Sequence, residues 1–188
     1  VPGKSGGGDI SGFDEADRFI MGLLRASADA VVVGAGTLRE VAAGHLWLAE
    51  HVYPEARDLY MRYRLGVLNK PEPPLNVIVS ASGAVDLQKA VFHTRGVRTL
   101  IVTSSNGREV LAGNGVAALA SVEVRVVEGP GGKSAPPSIL KLLRDEFAVE
   151  LVLHEGGPAL FGDFVARGCV DELFLTVAPR FAGRDAEQ

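Results

Sequence analysis

Short apolar runs alternate along the chain with segments whose apolar residues recur at helical spacing. The runs are too short for helices and are typical of strands covered on both faces of a sheet. They lie at residues 30–33, 75–79, 99–102, 122–127 and 149–153, and a sixth strand is predicted at 172–177. Strands that alternate with helices predict an α/β fold with a mostly parallel central sheet flanked by helices.

The helical segments differ in how much they indicate about structure and ligand binding. The first has an apolar face that includes Phe19 and Leu23, with Ser11 and Asp14 as candidate caps. The region 41–68 is predicted to be helical, with a break near Pro54. Its aromatic side chains could form the wall of a flat ligand site, but helical spacing favours a place in the core or in a subunit contact. They are Trp47, Tyr60 and Tyr63.

The most informative stretch follows the run at 149–153. His154, Glu155, Gly156 and Gly157 end the strand, and Pro158 is expected to begin a helix, because proline at that position loses no hydrogen bond. A strand, a turn with little side chain and a helix N-terminus bring backbone N–H groups together, which suits a phosphate. The same spacing fits a tight turn whose glycines meet steric needs only. It is neither the G-x-G-x-x-G motif nor a P-loop.

A second turn of small residues follows the run at 30–33. It consists of Gly34, Ala35, Gly36 and Thr37, and it also leaves a strand end open to a ligand. In open α/β sheets, ligands bind outside the carboxyl ends of the strands. Both turns are therefore predicted to lie at the ligand-binding edge of the sheet.

Composition and charge narrow the class of protein. The 188 residues are 47% hydrophobic and 22% charged, as in an ordinary globular domain. The formal net charge of −4 and the scattered Lys and Arg residues argue against a nucleic-acid partner. No apolar run approaches the roughly 20 residues of a membrane span. One cysteine, Cys169, excludes an internal disulfide, is interpreted as a small core residue, and fits a reducing cytoplasm.

The usual hydrolase and metal motifs are missing from the sequence. There is no H-E-x-x-H, no G-x-S-x-G and no pair of cysteines, so no metal site is predicted. The histidines are not at ligand spacing; they are His45, His51, His93 and His154. This pattern favours a protein that binds a cofactor and leaves the chemistry to it, because hydride transfer requires few protein groups beyond those that place the nicotinamide.

Three blocks of the sequence resemble a known family in the family's own order. LVLHEGGPALFGDFVARGCVDELFLTVAPRFAG resembles the reductase domain of the riboflavin-biosynthesis bifunctional deaminase-reductase, a relative of dihydrofolate reductase. LLRASADAVVVGAGTLR and LNVIVSASGAVDL are similar to two further blocks, so the resemblance runs from Asp17 to Gly183. It implies a dihydrofolate-reductase-like sheet, NADPH as cofactor, reduction of a phosphoribosylated pyrimidine at its ribose, and a homodimer.

The resemblance also implies roles for individual residues. The pyrophosphate of NADPH would be held at two turns, by Gly156, Gly157, Pro158, Ala159 and Leu160 and by Gly34, Gly36 and Thr37. Ser80 and Ser82 are candidates for the 2′-phosphate or the adenine ribose. Glu155 is the candidate catalytic residue, which would orient the substrate or the nicotinamide amide. The alternative is that its carboxylate only caps the local backbone.

Two departures from the family pattern leave alternatives open. A strand ending in Ser-Leu-Asp-Gly and the final strands are not found, so residues 1–188 are expected to form a single reductase domain without its first and last strands. The Asp-Asp-Pro of many members is replaced by the segment from Glu40 to Gly44, and stand-alone pyrimidine-reductase-like proteins look closer. The alternatives are a reductase of dihydrofolate or another pterin, and an NADP(H)-binding sensor without turnover.

Overall fold

One parallel sheet organises the part of the chain that the computed structural model describes, residues 14–129 and 134–177. Within these residues, five strands lie in the order β4-β3-β2-β1-β5, and every adjacent pair is parallel. The strands are β1 (Ala30–Gly34), β2 (Leu75–Val79), β3 (Thr99–Thr103), β4 (Val122–Val126) and β5 (Val152–His154). This arrangement confirms the predicted α/β fold. Because β2 lies on one side of β1 and β5 on the other, the strand order reverses between β1 and β5.

Helices connect the strands and cover the sheet. They are α1 (Glu15–Ser27), α2 (Ala35–Glu40), α3 (Ala49–Val52), α4 (Arg57–Arg62), α5 (Ser105–Gly113), α6 (Pro136–Phe147) and α7 (Pro158–Ala166). Asp14 is the cap of α1, since its carboxylate accepts the N–H of Asp17 at 3.0 Å, whereas Ser11 lies outside the described residues. Among the helices of residues 14–129 and 134–177, none has the length and apolar character needed to cross a membrane.

The core forms two layers because alternate residues of a strand point to opposite faces of the sheet. Val31 and Val33 of β1 pack on one face, where Trp47, Phe92 and Leu111 also lie. The other face contains the side chains of Ala30, Val32, Ile139, Leu143 and Phe164, the last three from α6 and α7. The central strands are therefore covered on both sides, as their continuous apolar runs predict.

The prediction of a helix beginning at residue 41 is wrong. The chain is not helical from 41 to 48, and a helix begins only at Ala49. Leu46, Trp47 and Leu48 are consecutive and all buried, which one face of a helix cannot achieve. Trp47 and Tyr60 are each 2% exposed, so they belong to the core and form no wall of a ligand site.

The prediction for the two outer strands also needs correction. β5 begins at Val152 rather than Val149, and its residues are only partly buried, because β1 is its single partner among the described residues. Residues 172–177 do not form a strand, since no described strand makes a hydrogen-bonded ladder with them. Phe174 is 59% exposed and Leu175 is 75% exposed there.

Asp29 links α1, β1 and the residues just before β5 at the amino ends of the strands, opposite to the edge where a ligand is predicted. Its Oδ2 accepts the N–H groups of Glu150 at 3.1 Å and Leu151 at 2.8 Å. Its Oδ1 lies 2.7 Å from Nζ of Lys70, which also donates to the carbonyl of Ser27. Burial opposes ionisation, but the hydrogen bonds from Lys70, Leu151 and Glu150 prevail and lower the pKa of Asp29 below its usual value.

Asp29→Asn is expected to lower the free energy of unfolding by about 1 to 3 kcal/mol at neutral pH, because charged hydrogen bonds are lost. The pKa of the folded state is depressed, so this contribution is present above the ordinary pKa and is lost as the pH falls through the folded value. Urea unfolding should show the difference in stability between parent and variant narrowing as the pH falls below the ordinary aspartate pKa of about 4. A difference that stays constant as the pH falls would contradict this account.

Candidate functional site

The two turns of small residues meet at the point where the strand order reverses. Val32 of β1 pairs with His154 of β5, and the N–H of Glu155 donates to the carbonyl of Val32 at 3.0 Å. A Cβ placed on Gly157 would lie 3.4 Å from Oγ1 of Thr37, and one placed on Gly34 would lie 3.7 Å from Leu160. The structure thus brings both turns together at the edge where open α/β sheets bind ligands.

A helix begins at each of these turns. Pro158 is the first residue of α7, as predicted, and Gly157 is the residue before it. Gly34 has the same place before α2. Neither glycine has a side chain that could cap its helix, and the first N–H groups of a helix have no partner within it. The N-terminus of α7 therefore has backbone donors that suit an anion.

Gly156 and Gly157 are needed for different reasons. A Cβ on Gly156 would lie 2.8 Å from Cε1 of His154, so a side chain there would displace the imidazole or the turn. Gly157 has φ −66° and ψ 172°, a conformation open to any residue, and a Cβ would approach only Thr37 within 4 Å among the described atoms. The turn is free of backbone strain at Gly157, and the absent side chain leaves space beside Thr37.

Glu155 forms a buried ion pair with Arg25 of α1. Nε of Arg25 donates to Oε1 at 2.7 Å and Nη2 donates to Oε2 at 2.7 Å. The side chains are 4% exposed for Arg25 and 12% exposed for Glu155. Nη1 of Arg25 also lies 3.4 Å from the carbonyl of Leu46 and 3.3 Å from that of Leu48. An arginine 130 positions away in sequence, rather than the local backbone, thus binds the carboxylate; its role towards a substrate stays a prediction.

Ser80 and Ser82 lie on the next strand end along the same edge. Val79 pairs with Gly34, so Ser80 follows β2 directly beside the turn that begins at Gly34. Ser80 is buried and its carbonyl accepts the hydroxyl of Thr103 at 2.6 Å. Ser82 is exposed, and its Oγ accepts the N–H of Ala84 at 3.3 Å. The more accessible hydroxyl is that of Ser82.

Sequence reasoning missed two side chains at this edge, Arg25 and His154. Gly22, Arg25 and Ala26 are buried together on one face of α1. In the sequence, the signal for this was the helical spacing of Arg25 with the small residues Gly22 and Ala26. For His154 the signal was its place as the last residue of a strand, two residues before a glycine. A side-chain acceptor at that place can bind the N–H two residues on.

His45 lies close to the same ion pair. Its ring packs edge-on against Trp47, with 4.8 Å between the ring centroids. Burial, and after it the positive charge of Arg25, lower the pKa of His45 to about 4. The imidazole is therefore neutral at physiological pH and could exchange hydrogen bonds with a ligand without a change of charge.

The parallel sheet with its flanking helices is an α/β fold of the dihydrofolate-reductase-like kind. The chain belongs to the RibD C-terminal domain family, whose model matches residues 3–188. It is similar to a pyrimidine reductase-like protein from Corynebacterium diphtheriae, with a TM-score of 0.64 and 23% identity over 90% of this chain and 66% of that one. A riboflavin biosynthesis reductase from Saccharomyces cerevisiae matches with a TM-score of 0.52 and 14% identity, over 82% of this chain and 59% of that one. At these identities the two structures establish the fold.

Proposed function

We propose that the chain is an NADPH-dependent reductase of the riboflavin-pathway type. Its substrate would be a pyrimidine like 5-amino-6-(5-phosphoribosylamino)uracil, reduced at the ribosyl group by hydride transfer. The observation that carries the proposal is the meeting of two open glycine turns between β1 and β5, where the strand order reverses. Membership of the RibD C-terminal domain family supports the same assignment.

The residues at this edge fit a dinucleotide. The space beside Thr37 that a Cβ on Gly157 would fill gives a phosphate close access to the backbone. The N-terminus of α7 would hold the pyrophosphate, with Gly34, Gly36 and Thr37 on the neighbouring turn. When bound, NADPH would supply the hydride, and the protein's part would be to place the nicotinamide and exclude water.

Glu155 would orient a bound group rather than transfer a proton. Each carboxylate oxygen accepts one hydrogen bond from Arg25, and a carboxylate has about four acceptor positions in all. The remaining positions can accept a hydrogen bond from the nicotinamide amide or from a substrate hydroxyl. Because Arg25 holds the carboxylate in one orientation, those positions are fixed before a ligand binds.

NADPH should bind at least about ten-fold more tightly than NADH, a difference of roughly 1.4 kcal/mol that charge-assisted hydrogen bonds to a 2′-phosphate can supply. The reason is the hydroxyl of Ser82, together with the absence of an acidic residue at the end of β2. Calorimetric titration of the two cofactors measures the ratio. Ser82→Ala should weaken binding of NADPH and leave that of NADH unchanged. Equal affinity of the parent for both cofactors would contradict the assignment.

The segment from Glu40 to Gly44, which replaces Asp-Asp-Pro, favours an NADP(H)-binding sensor as a second candidate. NADPH oxidation measured with the phosphoribosylated pyrimidine and, separately, with dihydrofolate distinguishes the candidates. Turnover of the pyrimidine supports the proposal, and turnover of dihydrofolate alone replaces it with a pterin reductase. Tight NADPH binding without turnover of either substrate would favour the sensor.

A further inference from the structure

His154 ends β5 and contacts both the glycine turn and the helix that follows it. Its Nδ1 lies 3.2 Å from the backbone nitrogen of Gly156, which donates the hydrogen bond. The ring centroid is 4.7 Å from that of Phe164 and 5.4 Å from that of Phe161, both in α7. The imidazole therefore lies between the turn and α7, on the face of the sheet opposite to Glu155 and Arg25.

The hydrogen bond identifies the tautomer of the ring. An N–H that points at Nδ1 needs a lone pair there, so the neutral imidazole must have its proton on Nε2. Nε2 is buried and has no hydrogen-bond partner among the described residues. Burial also lowers the pKa of His154, which favours the neutral ring. The N–H of Gly156 is thus the hydrogen-bond donor that the described structure places at Nδ1.

The ring of His154 also explains why a residue without a side chain is favoured at position 156. A Cβ on Gly156 would lie 2.8 Å from Cε1 and 3.1 Å from Nε2 of His154, and 3.2 Å from Leu160. The backbone of Gly156 therefore packs directly against the imidazole. Gly157, by contrast, has no described atom of His154 within 4 Å of the position of a Cβ.

We infer that His154 is a positioning residue that fixes the turn from Glu155 to Pro158 by accepting the N–H of Gly156. The inference rests on the proposed function, since it assigns the turn's free donors to the cofactor. The N–H of Glu155 donates to Val32, that of Gly156 donates to His154, and Pro158 has none. The donors left for a pyrophosphate are the N–H groups of Gly157, Ala159 and Leu160. Gly156 contributes by its shape and not by a hydrogen bond to the phosphate.

Two substitutions separate the acceptor from the ring. His154→Phe keeps an aromatic ring against α7 and removes the acceptor, whereas His154→Asn restores an acceptor that can bind the N–H two residues on. We expect His154→Phe to weaken NADPH binding by about ten-fold and His154→Asn to recover most of that loss. His51→Phe, at an exposed position of α3, is the matched control and should bind NADPH as the parent does.

The free protein supplies a readout that does not depend on the cofactor. Ring ¹⁵N shifts should show His154 as the Nε2–H tautomer, and the amide of Gly156 should exchange about ten-fold faster in His154→Phe than in the parent or in His154→Asn. The Nδ1–H tautomer, or parent-like exchange and affinity in His154→Phe, would overturn the inference. A parent that binds no NADPH would instead refute the proposed function, and the tautomer and exchange data would still decide the role of His154. Thermal melting of each variant shows whether the fold is kept.

Discussion

Arg25→Met is expected to lower the free energy of unfolding by about 3 to 5 kcal/mol, because removing one partner leaves a buried charge without compensation. The partner left behind is Glu155, whose side chain is 12% exposed. The carbonyls of Leu46 and Leu48 would also lose the guanidinium that lies near them. Urea unfolding of parent and variant, followed by circular dichroism, measures the loss.

Two further variants test whether the loss comes from the buried charge. Arg144→Met makes the same substitution where the arginine is 73% exposed and 3.4 Å from Asp145, and it should change the stability by less than about 0.5 kcal/mol. The double variant Arg25→Met with Glu155→Leu removes both charges and should regain part of the stability, since apolar replacements of buried ion pairs are often neutral. An Arg25→Met protein as stable as the parent would contradict the cost assigned here to an unpaired buried carboxylate at Glu155.

The ion pair also illustrates what a sequence can predict about this site. The glycine turns and the first residue of α7 follow from local chemistry, and both lie where the spacing of strand, glycine and proline places them. Arg25 and Glu155 are separated by 130 positions, and their contact depends on how α1 packs over the sheet. No local pattern contains that information.

The strands show the same division between local and distant causes. β2 covers residues 75–79 as predicted, because an apolar run buried on both faces is a strand in almost any context. Residues 172–177 are also largely apolar and form no strand, because a strand needs a neighbour and no described strand pairs with them. Edge elements depend on their partners, which the residues themselves do not specify.

The different roles of the two adjacent glycines could not be predicted from the sequence for another reason. In the sequence Gly156 and Gly157 are equivalent, and either could serve a steric need or a ligand. The structure separates them, because the imidazole of His154 packs against Gly156 while the space at Gly157 extends towards Thr37. A Cβ at Gly156 would collide with the side chain of His154. A Cβ at Gly157 would instead collide with a bound phosphate.

Gly157→Val is expected to weaken NADPH binding by well over ten-fold, because a charge-assisted hydrogen bond to the phosphate, worth about 1.5 to 3 kcal/mol, is lost together with space. The conformation of Gly157, with φ −66°, suits valine, so the substitution adds no backbone strain. Its Cβ would lie 3.4 Å from Oγ1 of Thr37, a contact that a small shift of the threonine can relieve. Calorimetric titration with NADPH measures the change in affinity.

Two other glycines separate the effect on binding from an effect on folding. Gly162→Ala lies in the same helix with no described atom within 4 Å of its Cβ, so it should keep the parent's affinity. Gly156→Ala should lower the melting temperature without any ligand, because its Cβ would lie 2.8 Å from the ring of His154. Gly157→Val should melt within a few degrees of the parent and still bind poorly. A Gly157→Val protein that melts like the parent and binds NADPH as tightly would mean that the turn is only a structural bend, and that a dinucleotide would have to bind elsewhere on the sheet.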